Sequence, residues 1–260
     1  MNNTLPNYDE KSTSQFSAVK QLINMGYNYL TREKVRDILH KQDYKYLLEE
    51  ITFQAMRKLN DESVSDKSIL NRIYEIQKTN FDNGSESASL NIYNMLTMAE
   101  SAQEFVDGKK TDGSIKIIDW ENVENNIYHV TTEYNIIDKK NIRIDIVVFI
   151  NGIPCAIIEN KKPSVAVDEA IKQIIKNSNG SDALYFFLFP QIYIATNITN
   201  LKYGTYKTPN AYYNMWKEKY TTDEYNDKLL YTINNKLDDD TLNKVLKDLS
   251  IKKYNYTIND

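Results

Sequence analysis

Through the first third of the chain, apolar residues recur at helical spacing. Phe16, Val19, Leu22 and Ile23 predict a helix running from Ser14 toward Leu30, which Gly26 ends. A second helical stretch covers Thr31–Leu39, with Thr31 placed to cap it. Leu47–Leu59 carries Ile51, Ala55 and Leu59 on one face, and Ser65–Lys78 carries Ile69, Ile73 and Ile76. Asn80–Ser85 reads as a turn, and Ser87–Phe105 as helical or mixed. These stripes are core faces that require no chemistry.

After Gly113 the apolar period shortens. Ser114–Trp120 is β-like, and a strand is predicted around Ile127–Tyr134. Arg143–Phe149 and Ile153–Lys161 are apolar strands meeting at Asn151-Gly152, the strongest short hairpin signal a sequence offers. Pro163 closes that unit, and Val167–Asn177 follows as a short amphipathic helix carrying Gln173. Ala183–Phe189 and Gln191–Thr196 are apolar runs, the second a strand, and Thr205–Pro209 is a loop. Ala211–Tyr220, with Trp216, reads as a helix, as do Lys228–Leu237 and Asp240–Leu249. Strand, helix and strand after the hairpin imply an α/β fold: a central mixed sheet flanked by helices, with an N-terminal helical portion.

Three polar residues interrupt the apolar hairpin: Asp145 in its first strand, Glu159 and Lys161 at the end of its second. A carboxylate in so apolar a strand is costly unless it is paired, solvated at a cleft or holding a metal. Two carboxylates converging with a lysine suit a divalent metal and phosphodiester hydrolysis, the lysine orienting the attacking water or helping to deprotonate it.

Geometry restricts this idea. With a two-residue loop Ile150 faces Ile153, Asp145 faces Ile158, and Glu159 and Lys161 fall on the other side of the sheet. A three-residue loop, Ile150-Asn151-Gly152 with Gly152 left-handed, pairs Phe149 with Ile153 and sets Asp145 opposite Ile157, with Glu159 diagonal to it. The site therefore demands that bulged loop, or a bulge elsewhere in the two strands.

Composition changes the picture only locally. Apolar content of 41% and charged content of 26% over 260 residues are those of an ordinary globular protein. A net charge of −4 argues against a surface that grips nucleic acid everywhere. Yet Lys139, Lys140, Arg143, Lys161, Lys162, Lys172 and Lys176 face only Asp145, Glu159, Asp168 and Glu169 within one window. The single cysteine, Cys155, reads as a small buried hydrophobe, and its solitude fits a reducing cytoplasm. No apolar run is long enough to span a membrane.

Asp145, then Asn151-Gly152-Ile153-Pro154, then Glu159-Asn160-Lys161 resembles the nuclease domain of the type I restriction enzyme R subunit, within the PD-(D/E)xK nuclease superfamily. Leu22–Tyr29, Ile118–Tyr134, Ala195-Thr196-Asn197, Tyr203-Gly204-Thr205 and Trp216 extend the likeness over roughly residues 15–220. The resemblance implies a restriction-endonuclease-like core that cleaves double-stranded DNA with Mg2+, for which Mn2+ can substitute. Asp145, Glu159 and the backbone carbonyl of Asn160 would hold the metal, and Lys161 would position water and stabilise phosphate charge. Gln173 matches the first residue of the family's Gln-x-x-x-Tyr motif, whose Tyr position holds Asn177. The early-helix Glu of many relatives falls near Gln15, so no third carboxylate is nominated.

The same resemblance implies a flexible lead over 1–13 and a nuclease domain over 14–220, helical over 14–106 and a sheet core over 114–220. Residues 221–260 would be a helical tail or the start of a linker to motor domains. Expected partners are the helicase motor of the same subunit and the modification and specificity subunits. None of the seven glycines stands in a G-x-x-x-x-G-K-[ST] loop, so no ATP site is expected in this chain. Two other readings stand beside this one: a non-catalytic docking module for a motor or partner subunit, and a DNA-repair nuclease of the same superfamily.

Overall fold

A computed structural model of the chain describes residues 10–41, 46–78, 82–98, 100–106, 109–137, 141–180, 184–216 and 237–251. A π-helical turn, Lys11–Gln15, runs directly into α1 (Phe16–Asn24); β1 (Asn28–Tyr29) and α2 (Arg32–His40) follow. Next come α3 (Glu49–Leu59), α4 (Asp66–Gln77), α5 (Ser85–Thr97), β2 (Glu100–Val106) and β3 (Lys109–Ile115). The central strands are β4 (Tyr128–Ile137), β5 (Asn141–Ile150) and β6 (Ile153–Asn160). The remainder is α6 (Val167–Ser178), α7 (Leu184–Phe187), β7 (Ile192–Thr196), β8 (Leu201–Gly204), β9 (Asn214–Met215) and α8 (Asp239–Leu249).

Local chemistry explains several boundaries. Gly26, at φ 104°, takes the left-handed conformation that stops α1. The Thr31 hydroxyl accepts the N–H of Lys34 to start α2, Ser65 does the same for Ser68 in α4, and the Asp238 carboxylate caps α8 through Thr241. No helix among the described residues is long and apolar enough to cross a membrane.

Seven of these strands form one mixed sheet in the order β1-β4-β5-β6-β7-β8-β9, while β2 and β3 pair separately. The pairs β1–β4 and β6–β7 are parallel and the others in the sheet antiparallel. Helices cover both faces. On one, Val35 of α2, Ala170, Ile171 and Ile174 of α6, and Phe186 of α7 join a cluster with Val147, Phe149 and Ile157. On the other, Val19 and Ile23 of α1 and Val245 and Leu249 of α8 meet Val130, Ile146, Val148 and Ile158. Helices α3, α4 and α5 build a third cluster that reaches the hairpin at Ile153. Each such side chain contributes roughly 1.5–3 kcal/mol when fully buried, so the strands that carry the site are held from both sides.

Several expectations need correction. The helix predicted over Ala211–Tyr220 is a 3-10 turn, Asn210–Tyr212, followed by β9; the N–H of Trp216 bonds the carbonyl of Leu201, so sheet pairing wins over helical periodicity here. Residues 217–220, like most of Lys228–Leu237, lie outside the described residues, as do residues 1–9 and the first two residues, 80–81, of the predicted turn at Asn80–Ser85. The mixed stretch Ser87–Phe105 resolves into the end of α5 and β2. Ser114–Trp120 is strand only to Ile115; beyond it Asp119 and Asn126 lock a loop. Helix α8, expected in a tail, packs on the sheet, and its Asp248 takes bonds from the Tyr29 hydroxyl and the Arg32 N–H.

Candidate active site

The hairpin loop has two residues, not three. Ile150 pairs with Ile153 and Phe149 with Pro154, while Asn151 (φ 53°) and Gly152 (φ 79°) both take left-handed backbone, as a tight type I′ turn requires. The register then shifts: Val148 pairs with Ala156, Val147 with Ile157 and Ile146 with Ile158. Cys155 is the extra residue, a bulge in β6. Carried one step further, the shifted register sets Asp145 opposite Glu159. The side-chain alternation that would have separated them is reversed by one inserted residue.

The loop is anchored by its own residues. The Asn151 side chain accepts the N–H of Ile127 at 2.7 Å and donates to the Ile117 carbonyl and to Asn126 Oδ1, both at 2.8 Å. Gly152 lies so close to α3 that a Cβ there would sit 2.5 Å from Thr52 Oγ1. The Asn-Gly pair therefore ties the hairpin to both the preceding loop and the helical layer.

Where the β5–β6 pairing ends, the site begins. Asp145 Oδ2 accepts the backbone N–H of Asn160 at 2.7 Å, taking the position of a ladder bond. A strand residue turns its N–H and C=O to the same side, so the Asn160 carbonyl also faces the β5 side. Lys161 Nζ donates to Glu159 Oε1 at 3.0 Å and to Gln173 Oε1 at 2.8 Å. Glu10 approaches the same ammonium at 3.8 Å. Helix α6 thus delivers Gln173 to Lys161, and Asp145, Glu159, Asn160, Lys161 and Gln173 form one constellation.

Both carboxylates are buried, Asp145 with 4% of its surface exposed and Glu159 with 2%. Burial raises Asp145 to about 6, opposed by the Asn160 N–H and helped by the charges of Glu10 and Glu133. Burial and the neighbouring Asp145 charge push Glu159 up to about 8 despite its bond to Lys161. Burial pulls the Lys161 ammonium down, but Glu159, Glu10 and Asp145 together hold it above its ordinary value. Lys161 is therefore a fixed cation beside two carboxylates that favour company of positive charge.

Other residues belong to this constellation and were not nominated from sequence. Glu133, in β4, is 2% exposed and has a left-handed backbone, φ 51°. Such a conformation is uncommon for a non-glycine residue and costs on the order of 1–3 kcal/mol. The β4–β5 pairing runs through Thr132–Ile146 and Tyr134–Ile144 but skips Glu133 and Asp145. Lys11 and Arg143 reach Glu133 Oε2 at 2.9 and 3.1 Å, and Gln15 Nε2 lies 3.2 Å from its Oε1. The same Gln15 nitrogen donates to the Asp145 carbonyl at 2.7 Å, and the Ser14 hydroxyl donates to Asn160 Oδ1 at 3.3 Å. The signal for Glu133 is of the kind that singles out Asp145: the one carboxylate in a strand otherwise free of acidic side chains.

The basic window is partly neutralised. Arg143 pairs with Glu133, Lys161 with Glu159 and Lys172 with Glu169, while Asp168 takes Lys202. Lys162 and Lys176 remain exposed, and Lys139 and Lys140 lie outside the described residues. A cavity of about 860 Å3 between α2, β4 and α8 touches Glu133 but none of Asp145, Glu159 or Lys161. Among the described residues, no three Asp, Glu, His or Cys side chains converge as a metal cage.

Comparison with known proteins follows the same residues. The family model described as "Type I restriction enzyme R protein N terminus" matches residues 7–212. The "Putative type I restriction enzyme MjaIXP endonuclease subunit" of Methanocaldococcus jannaschii is 28% identical over 206 residues, 73% of this chain and 18% of that protein. The "Putative type I restriction enzyme MjaVIIIP endonuclease subunit" of the same organism is 31% identical over 115 residues, 40% of this chain and 11% of that protein. The chain thus spans less than a fifth of the length of either relative.

Proposed function

The chain belongs to the family of type I restriction enzyme R protein N termini, and from that premise we propose that it is a nuclease module that cleaves double-stranded DNA with Mg2+. The observation that carries this reading is the Cys155 bulge, which sets Asp145 opposite Glu159 while Lys161 donates hydrogen bonds to both Glu159 and Gln173.

The donor set suits the ion. Two carboxylates and a backbone carbonyl are hard oxygen ligands, and Mg2+ is commonly held by one or two carboxylates, with waters and substrate phosphate completing its shell. The raised proton affinities of Asp145 and Glu159, caused first by burial, fit a site whose two carboxylates are only partly compensated by Lys161 and would gain from a second cation. Asp145, Glu159 and the Asn160 carbonyl would hold Mg2+, with Mn2+ a suitable substitute. When bound, the ion would neutralise phosphate charge and activate water for in-line attack.

The chain's own residues do the rest. The Asn160 N–H fixes one oxygen of Asp145, leaving the other for the ion. Lys161, protonated, acts as a charge stabiliser rather than a base. Two of its three N–H donors are spent on Glu159 and Gln173, and the third is left for the scissile phosphate or the attacking water. Gln173 sets where that third donor points.

Motor function and sequence recognition would come from elsewhere: a helicase motor in the same subunit, and separate modification and specificity subunits. The test uses the assembled restriction complex carrying Asp145→Ala, scored separately for DNA cleavage and ATP hydrolysis. Cleavage is expected to vanish while ATP hydrolysis persists. Cleavage at the normal rate would falsify the proposed site. Loss of both activities with loss of assembly would point instead to a docking module.

A further inference from the structure

Glu133 has no part in the chemistry above, yet it is buried at the level of Asp145. Its left-handed backbone falls where Glu133 and Asp145 drop out of the β4–β5 register. Gln15 reaches the Asp145 backbone at that point. Its amide nitrogen donates to the Asp145 carbonyl at 2.7 Å and to Glu133 Oε1 at 3.2 Å. A primary amide whose two N–H groups go to two fixed acceptors cannot rotate, and Gln15 is itself 1% exposed. The second Glu133 oxygen is held by Lys11 and Arg143.

We infer that Glu133 is a positioning residue: through Gln15 it fixes the backbone of Asp145, and so aims its carboxylate at Glu159 and at the N–H of Asn160. This rests on the reading of Asp145 and Glu159 as metal ligands. A direct ligand role for Glu133 fits less well. Both its oxygens already accept N–H donors, and it forms no three-carboxylate cage with its neighbours among the described residues. Partners one shell out from a metal ligand typically change metal affinity by 10–100-fold when removed.

The experiment uses the 260-residue chain with two readouts. One is Mn2+ binding by calorimetry. The other is the Asn160 amide proton resonance of the metal-free protein, which reports the hydrogen bond to Asp145. Gln15→Leu and Glu133→Ala are each expected to weaken Mn2+ binding about 10–100-fold and to shift the Asn160 resonance upfield. Their combination is expected to be no worse than either alone, since both break one relay. Glu133→Gln keeps an acceptor for Gln15 while Lys11 and Arg143 turn to water, so it is expected to stay near wild type in both readouts.

If Glu133→Ala does not fold, the contrast between Gln15→Leu and Glu133→Gln decides. A folded Gln15→Leu protein with normal Mn2+ affinity and an unmoved Asn160 resonance overturns the proposal. So does a Glu133→Gln protein as weak as Glu133→Ala beside a normal Gln15→Leu, which would assign the effect to charge. A wild-type chain that binds no Mn2+ defeats the metal reading instead; the Asn160 resonance, recorded without metal, still decides whether Glu133 positions Asp145.

Discussion

Asp145 stands opposite Glu159 because Cys155 adds to β6 one residue that β5 lacks. Deleting Cys155 alone closes the bulge but leaves Val148 opposite Ala156 and Asp145 opposite Glu159, so Mn2+ binding is expected to survive. Deleting Cys155 and Ala156 together moves Glu159 opposite Ile146 and Asp145 opposite Asn160. The double deletion is expected to abolish Mn2+ binding and to lower the melting temperature, because the Glu159 carboxylate then enters the apolar layer formed with α1 and α8. Calorimetric titration of the two proteins checks the contrast; equal affinity in both contradicts it.

Gly152 supports the site from a distance. At φ 79°, a side chain there is strained, and its Cβ would meet Thr52 Oγ1 at 2.5 Å and the Leu48 carbonyl at 2.8 Å. Backbone atoms at the start of α3 cannot retreat without breaking the Leu48 N–H bond to the Gly152 carbonyl. Gly152→Ala is expected to lower stability by about 2–4 kcal/mol, read as a shifted urea midpoint. A midpoint within error of wild type would show that the turn is slack.

The site's pH dependence follows from its two raised carboxylates. Glu159 titrates near 8 and Asp145 near 6 in the folded chain, against ordinary values of 4.5 and 3.8. Between the ordinary and raised values the folded state binds more protons than the unfolded one, so these groups reduce stability as pH rises through that window, up to about 8 for Glu159. Glu159→Gln removes the larger effect and is expected to raise the melting temperature more at pH 8 than at pH 5. A metal bound at the proposed site would compete with the same protons. Mn2+ affinity is expected to climb from pH 6 to pH 8 and to level above it; affinity that is flat across this range contradicts the assignment.

Lys161 and Gln173 separate catalysis from binding. In the proposed mechanism Lys161→Ala removes a charge that would stabilise the transition state but no ligand, so cleavage is expected to fall by ~10²–10³ with Mn2+ affinity little changed. Gln173→Ala frees Lys161 without removing it, and a loss of about 10-fold or somewhat more is expected. Single-turnover cleavage rates beside metal titrations test both. A Gln173→Ala enzyme slower than Lys161→Ala would give Gln173 a role of its own.

The sequence shows the site's members more clearly than its geometry. Asp145, Glu159 and Lys161 stand out because charge is expensive in apolar strands, and Asn151-Gly152 names its own turn. The bulge is only half legible: the need for an odd residue follows from period-two alternation, but nothing in Pro154-Cys155-Ala156 marks Cys155 as that residue, and the three-residue loop was the wrong place for it. Glu133 is harder still. Alternation across Val130–Tyr134 says one face throughout, yet Val130 packs against α1 and α8 while Tyr134 packs with α2 and α6. The cause is a left-handed backbone at a residue type that seldom adopts one. Gln15 and Lys11 enter through tertiary contacts across 118 and 122 residues of chain, a separation that local patterns do not carry. Trp216 fails for a related reason, since edge pairing to β8 overrides a short amphipathic repeat.

Asp145 and Glu159 are proposed to share one cation, and a crystal of the chain soaked in Mn2+ shows whether they do. An anomalous difference map is predicted to show a peak between the two side chains, ~2.0–2.6 Å from a carboxylate oxygen of each and from the Asn160 carbonyl. The Lys161 ammonium should lie beside it, still bonded to Gln173. A map from well-ordered crystals with no density between Asp145 and Glu159, or with Mn2+ only at exposed carboxylates elsewhere, would contradict the account.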